Sequence, residues 1–143
     1  MDKITSKVEY TGQLMTLATH MNSGEKIITD APVDNNGKGA YFSPTDLLAT
    51  SLANCMLTLM GIHAEKNGIK MGKIDVAVTK IMASAPRRVG TIQIKMDIED
   101  VGYGEKEKEI LERAALTCPV AKSLHPDIVQ DVAFTYLKRE DYV

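Results

Sequence analysis

The chain has 143 residues, of which 44% are hydrophobic and 25% charged, with 10 glycines and 5 prolines. This composition excludes a low-complexity or fibrous protein, and the length predicts a single domain over residues 1–143. Seventeen Lys and Arg residues against 19 Asp and Glu leave a net charge of −2. Such a balance offers no surplus of cations for phosphates, so we expect no nucleic-acid partner.

The N-terminal sequence MDKITSKVEY has no apolar run behind its charges, and therefore predicts neither a secretory signal nor a lipid anchor. The apolar stretch 47–62 is interrupted by polar residues and is shorter than the roughly 20 residues needed to cross a bilayer. We therefore expect a cytoplasmic protein that does not bind membranes.

The first forty residues contain short alternating runs around Val8, Leu17 and Ile28, separated by turn-forming residues. They predict two or three short strands. Segment 34–39, with the sequence DNNGKG, is rich in turn formers and predicts an exposed loop.

A long helix is predicted from residue 44 to about 66. Ser43 suits the N-cap, Pro44 the first helical position and Asp46 the position three residues after the cap, while Gly68 provides a left-handed stop. One apolar stripe has spacings of three and four: Leu48, Leu52, Cys55, Leu59 and Ile62. Because other sides of the helix are also apolar, it must be covered by other elements or by a second subunit.

The second half of the chain alternates between strand and helix patterns. Alternation predicts strands at 73–82, 89–98 and 128–137, and helical periodicity or a leading proline predicts helices at 105–116 and 119–124. The order of strands, long helix, strands, helices and strand favours an α+β fold with antiparallel sheet.

The two cysteines, Cys55 and Cys118, are too few for a structural zinc site. Cys55 lies on an apolar helix face, where a small buried side chain is the simplest interpretation. Cys118 precedes Pro119 and takes the N-cap of the next helix, where backbone N–H groups can stabilise a thiolate. From position alone, Cys118 is the better candidate for a lowered pKa.

Read together, the segment 43–55 (SPTDLLATSLANC) and the segment 118–122 (CPVAK) resemble the two signatures of the OsmC/Ohr family. The resemblance extends over most of the chain. It implies an α+β fold in which antiparallel sheets wrap around a long central helix, and an intertwined homodimer with neither a metal nor an organic cofactor.

The resemblance also implies an antioxidant thiol peroxidase that reduces organic hydroperoxides, and in some members hydrogen peroxide. By this resemblance Cys55 is the thiol that attacks the peroxide and becomes a sulfenic acid. Cys118 then resolves the sulfenic acid to an intramolecular disulfide, which an external dithiol must reduce.

The sequence departs from the family at the groups that assist the attack. Similar enzymes use an Arg held by a Glu that lies ten residues before the first Cys, where this chain has Thr45, and no Arg precedes Arg87. By chemistry the nearest replacements are Arg87 and Arg88, which a hairpin tip could bring to the Cys55 of a partner subunit. The alternative for this pair is a solvated turn.

Two other functions remain open at this stage. One is a protein that keeps the fold and its thiols but binds an apolar small molecule or senses redox state, with little peroxidase activity. The other is a structural dimer module with inert cysteines, whose sulfurs would be buried and far apart.

Overall fold

The computed structural model describes residues 2–141 of the chain. The chain forms two compact units, Met1–Leu48 and Ala49–Val143. The long helix begins in the first unit and continues through the second.

The first unit is built on a three-stranded antiparallel sheet in the order β1-β2-β3: Ser6–Gly12, Met15–His20 and Lys26–Asp30. The turn between β1 and β2 holds Gln13 and Leu14 at φ 57° and 66°, the left-handed pair that a tight hairpin requires. The predicted short strands are confirmed.

A loop joins β3 to the long helix and contains a 3₁₀ turn at Val33–Asn35. Asp30 anchors this loop, because its N–H donates to the carbonyl of Phe42 (3.1 Å) and its carboxylate accepts the N–H of Ala40 (3.1 Å). The turn-rich segment 34–39 is largely exposed, as its composition predicts.

The long helix α1 spans Pro44–Lys66. Its first turn is closed by reciprocal hydrogen bonds: the hydroxyl of Ser43 accepts the N–H of Asp46 (3.0 Å), and the Asp46 carboxylate accepts the N–H of Ser43 (3.0 Å). This is a capping box, which satisfies two backbone donors of the helix start. Just after the last turn, Gly68 adopts φ 63°. Both ends of the predicted helix are confirmed.

The second unit contains a three-stranded sheet in the order β4-β5-β6: Ile74–Ala83, Arg88–Glu99 and Val129–Leu137. Strand β4 is antiparallel to β5, whereas β6 is parallel to β5. The sheet is therefore mixed, and the expectation of a wholly antiparallel sheet is corrected. Alternation is typical of antiparallel sheets. Here β6 alternates although it pairs in parallel, because only one face of the strand is buried.

Two helices occupy the connection from β5 to β6: α2 at Glu105–Leu116 and α3 at Pro119–Ser123. Parallel neighbours require such a crossover. The α+β class and the long helix agree with expectation.

The core of the second unit lies between α1, α2 and the inner face of the sheet. On α1, the buried side chains are Ala49, Leu52, Ala53, Met56, Met60 and Ala64. Leu48 and Ile62 of the apolar stripe are 39% and 41% exposed. Because the helix is apolar nearly all round, its sequence pattern does not specify which of its faces is buried within the chain.

The helix α1 is long and apolar enough to cross a membrane. It has 23 residues, and the mean hydropathy of an 18-residue window within it is 1.4. The shorter stretch 47–62 therefore understates the apolar length. The core helix of a soluble protein can have the same length and hydropathy. One third of this 18-residue window is buried within the protein.

Replacing Ser43 with Ala is expected to lower the free energy of unfolding by about 1 kcal/mol, because the N–H of Asp46 loses its acceptor. Urea denaturation followed by circular dichroism measures this change.

The matched control is Thr58→Ala, which also removes a hydroxyl from α1. The Thr58 hydroxyl is exposed and bonds back to the carbonyl of Asn54 (2.8 Å), so its loss should be close to neutral. A Ser43→Ala protein as stable as the Thr58→Ala protein would contradict the role of the cap.

Candidate active site

Cys55 lies in the middle of α1, about three turns from its start. Its side chain is half-buried and packs against the core of the second unit. The helix N-terminus is too distant to act on its sulfur. Any group that stabilises charge on this sulfur must therefore belong to another element.

Cys118 is the N-cap residue of α3, with φ −67° and ψ 156°, and Pro119 is the first helical residue. Its N–H donates to the carbonyl of Ala115 at the end of α2 (3.4 Å). The predicted capping position is confirmed, but the side chain is completely buried, with 0% exposure. The core of the second unit therefore includes this sulfur.

The two thiols meet. Within the unit Ala49–Val143, the sulfur of Cys55 lies close enough to that of Cys118 to raise the pKa of the Cys118 thiol, and both side chains belong to the same core. Both cysteines are free rather than linked in a disulfide. The interpretation of two inert sulfurs far apart does not fit this contact.

Burial raises the pKa of Cys118 and outweighs the backbone N–H groups of Ala121 and Val120, which lower it. The contact with Cys55 and the charge on that sulfur raise the pKa further. The expectation of a lowered pKa for Cys118 was wrong, because the N-cap position supplies the expected N–H groups but lies inside the core. At neutral pH the thiol of Cys118 therefore stays protonated.

Arg87 lies on the turn between β4 and β5, Arg88 is the first residue of β5, and both are exposed. The guanidinium of Arg88 donates to the carbonyls of Ser84 (3.0 Å) and Pro86 (2.8 Å), and so holds its own turn. Their approach to the Cys55 of a second subunit stays a prediction.

Thr45, which stands where the family has a Glu, belongs to the start of α1. Its hydroxyl lies 3.2 Å from that of Ser43. A hydroxyl at this place cannot hold a guanidinium by charge, so the usual Glu and Arg arrangement is not reproduced by this chain.

Gln130 is a residue of the site that sequence reasoning missed. Its side-chain N–H₂ donates to the carbonyl of Ala121 in α3 (2.9 Å). On β6 it lies on the same face as Val132 and Phe134, so a polar side chain occupies a position where the alternation predicts an apolar one. That break in the alternation is the signal that could have identified it.

Among residues 2–141, no group of three or more His, Cys, Asp or Glu side chains is arranged to hold a metal ion. The chemistry available at the candidate site is therefore that of two adjacent thiols in apolar surroundings.

The sequence model of a family described as OsmC-like protein matches residues 37–132, more than half of the chain. The chain belongs to the OsmC-like family. No functionally curated protein matches it.

Solved structures resemble this OsmC-like protein over nearly its whole length. A protein of Psychrobacter arcticus 273-4, described as an osmotic stress induced and detoxification response protein, is 52% identical, with 94% of this chain and 97% of that chain covered and a TM-score of 0.87. An OsmC-like protein of Mycoplasma pneumoniae is 21% identical, with coverage of 96% and 99% and a TM-score of 0.78. The organic hydroperoxide resistance protein OsmC of Legionella pneumophila is 15% identical, with coverage of 94% and 99% and a TM-score of 0.73. At these lower identities the likeness concerns the fold.

The pH dependence of alkylation tests the raised pKa of Cys118 in this OsmC-like protein. The reaction of Cys118 with iodoacetamide is expected to have its midpoint above the ordinary thiol pKa of 9.0, because burial and the Cys55 sulfur both raise the pKa. Mass spectrometry of the modified peptides measures each rate against pH.

In a Cys55→Ala variant the charge of the neighbouring sulfur is gone, so the midpoint of Cys118 should fall. It should remain above 9.0, because burial is the largest cause of the shift. A wild-type midpoint for Cys118 below 9.0 would contradict this assignment.

Proposed function

We propose that this OsmC-like protein is a cysteine-based peroxidase that reduces organic hydroperoxides through a sulfenic acid and an intramolecular disulfide. The observation that carries the proposal is the contact between the thiols of Cys55 and Cys118. Membership of the OsmC-like family supports a redox role in resistance to peroxides. The hydroperoxide-resistance protein of the same fold supports the substrate class.

The burial of the two sulfurs supports the division of roles. Cys55 is half-buried, whereas Cys118 is fully buried and keeps its proton, so a peroxide reaches Cys55 first. The Cys55 thiolate attacks one peroxide oxygen, the O–O bond breaks, and an alkoxide leaves and takes up a proton to become an alcohol. Cys55 is thereby oxidised to a sulfenic acid.

The second step uses the proton that Cys118 retains. Its thiol attacks the sulfenic sulfur, an S–S bond forms, and the hydroxyl leaves with that proton as water. An external dithiol then reduces the disulfide and is itself oxidised, which restores both thiols. The reaction needs neither a metal nor an organic cofactor.

The surroundings of Cys55 favour an organic over an inorganic peroxide. Leu59 lies four residues after it on the same side of α1, and buried Leu52 lies three residues before it. Such surroundings desolvate an alkyl group at little cost but offer few hydrogen bonds to a small polar peroxide.

We expect the active form to be a cytoplasmic homodimer that binds neither nucleic acid nor membranes. Support for the dimer comes from α1, where Leu48 and Ile62 remain substantially exposed on an otherwise apolar helix. A second copy of the chain would cover them. The dimer would also allow Arg87 or Arg88 of one subunit to approach the Cys55 of the other.

A second candidate function is a binding or redox-sensing protein with little peroxidase activity. Two observations favour it: Thr45 replaces the family Glu, and the guanidinium of Arg88 holds its own turn. In that case the thiol pair would still form a disulfide, but no guanidinium would stabilise the alkoxide that develops during attack on the peroxide.

Cys55→Ser is expected to abolish the consumption of cumene hydroperoxide, since a serine hydroxyl does not attack the O–O bond. Cys118→Ser should consume about one equivalent per subunit and then stop at the sulfenic acid, because no resolving thiol is present. For Cys118→Ser the peroxide assay is run without dithiol, because an external thiol can itself reduce a sulfenic acid, and dimedone traps the product. For Cys55→Ser and wild type it is run with an excess of dithiol.

Equal multiple-turnover rates in the two variants would count against the proposed roles. A wild-type rate close to that of a free thiol would instead favour the binding or sensing function.

A double variant, Arg87→Gln with Arg88→Gln, tests whether the pair assists the attack. Loss of a donor to the developing alkoxide should lower kcat/KM by about 100-fold. Mixing this variant with Cys55→Ser should restore up to about a quarter of the wild-type activity, because a mixed dimer then contains one complete site.

The peroxide assay before and after subunit exchange measures this complementation. Unchanged activity in the double variant would mean that Arg87 and Arg88 only belong to a solvated turn. A loss of activity that mixing does not restore would exclude the action of these arginines on the Cys55 of a second subunit.

A further inference from the structure

The short helix α3 has few hydrogen bonds of its own with which to hold its place. It spans five residues, Pro119–Ser123, and the last carbonyls of any helix lack partners within it. The carbonyl of Cys118 is satisfied by the N–H of Lys122, and that of Val120 by the N–H of Leu124. The carbonyl of Ala121 receives its hydrogen bond from outside the helix, from Gln130.

Gln130 is itself fixed by the sheet. It lies at the start of β6 and pairs with Ile92 of β5, a side chain with 0% exposure. A half-buried amide on the inner face of a strand destabilises the folded protein if it lacks a hydrogen-bond partner. The carbonyl of Ala121 is that partner.

The same residue of α3 faces the thiol. The N–H groups of Ala121 and Val120 act on the sulfur of Cys118, which in turn contacts Cys55. A continuous series of contacts therefore runs from the backbone of the sheet, through Gln130 and Ala121, to the two sulfurs.

We propose that Gln130 is a positioning residue that holds α3 against the sheet and so keeps the sulfur of Cys118 within reach of Cys55. The inference rests on the proposed use of this thiol pair. It adds a residue that touches neither sulfur, and whose effect is to raise the effective concentration of one thiol towards the other.

The test uses thiol–disulfide exchange and therefore does not depend on peroxidase activity. In glutathione buffers, the two protein thiols and one glutathione disulfide give the intramolecular disulfide and two glutathione thiols. The equilibrium constant of this reaction reports how well Cys118 is held against Cys55.

In Gln130→Leu, the side chain keeps its bulk but cannot donate to Ala121. Loss of a neutral hydrogen bond should lower the equilibrium constant about fivefold. Gln130→Asn keeps the amide but is one methylene shorter, and should lower the constant in the same direction. Urea denaturation confirms that each variant is folded before its equilibrium is measured.

The matched control is Gln93→Leu, the same substitution at a half-buried position on the opposite face of β5. It should leave the constant unchanged. The proposal is overturned if the folded Gln130 variants lie within twofold of wild type, or if Gln93→Leu lowers the constant as much. A wild-type protein that forms this disulfide but does not consume peroxide would refute the proposed function alone.

Discussion

The parallel pairing of β6 with β5 is the constraint on which the candidate site depends. Two parallel neighbours cannot be joined by a tight turn, so the chain must leave the sheet after β5 and cross one of its faces before it returns. The helices α2 and α3 form that crossing. Leu111 and Ala115 of α2, and Cys118 immediately before α3, join the same core as α1. Two cysteines separated by more than sixty residues meet because of this path.

Much of the fold could be predicted from the sequence, because its signals are local. The cap of the long helix at Ser43 and the left-handed Gly68 that follows its end depend on neighbours within four residues. The direction of β6 and the buried face of α1 could not be predicted, since they depend on packing between distant elements. Alternation of apolar residues does not determine the direction in which β6 pairs. A helix that is apolar on all sides does not show which of its faces is buried.

The candidate site shows the same division. The N-cap position of Cys118 follows from the proline after it, but its burial does not, and burial decides the direction of its pKa shift. Gln130 was visible as a polar residue in an apolar strand phase, yet its partner in α3 could be identified only from the folded chain.

The complete burial of Cys118 has a consequence for the reduction step of the proposed redox cycle. Once the two sulfurs are joined, an incoming reductant meets the half-buried sulfur of Cys55 and must expel Cys118 as the leaving thiolate. A thiol whose pKa is raised leaves slowly. In that cycle the disulfide would be reduced slowly by small monothiols, and Cys55 would be the sulfur at which a reductant attacks.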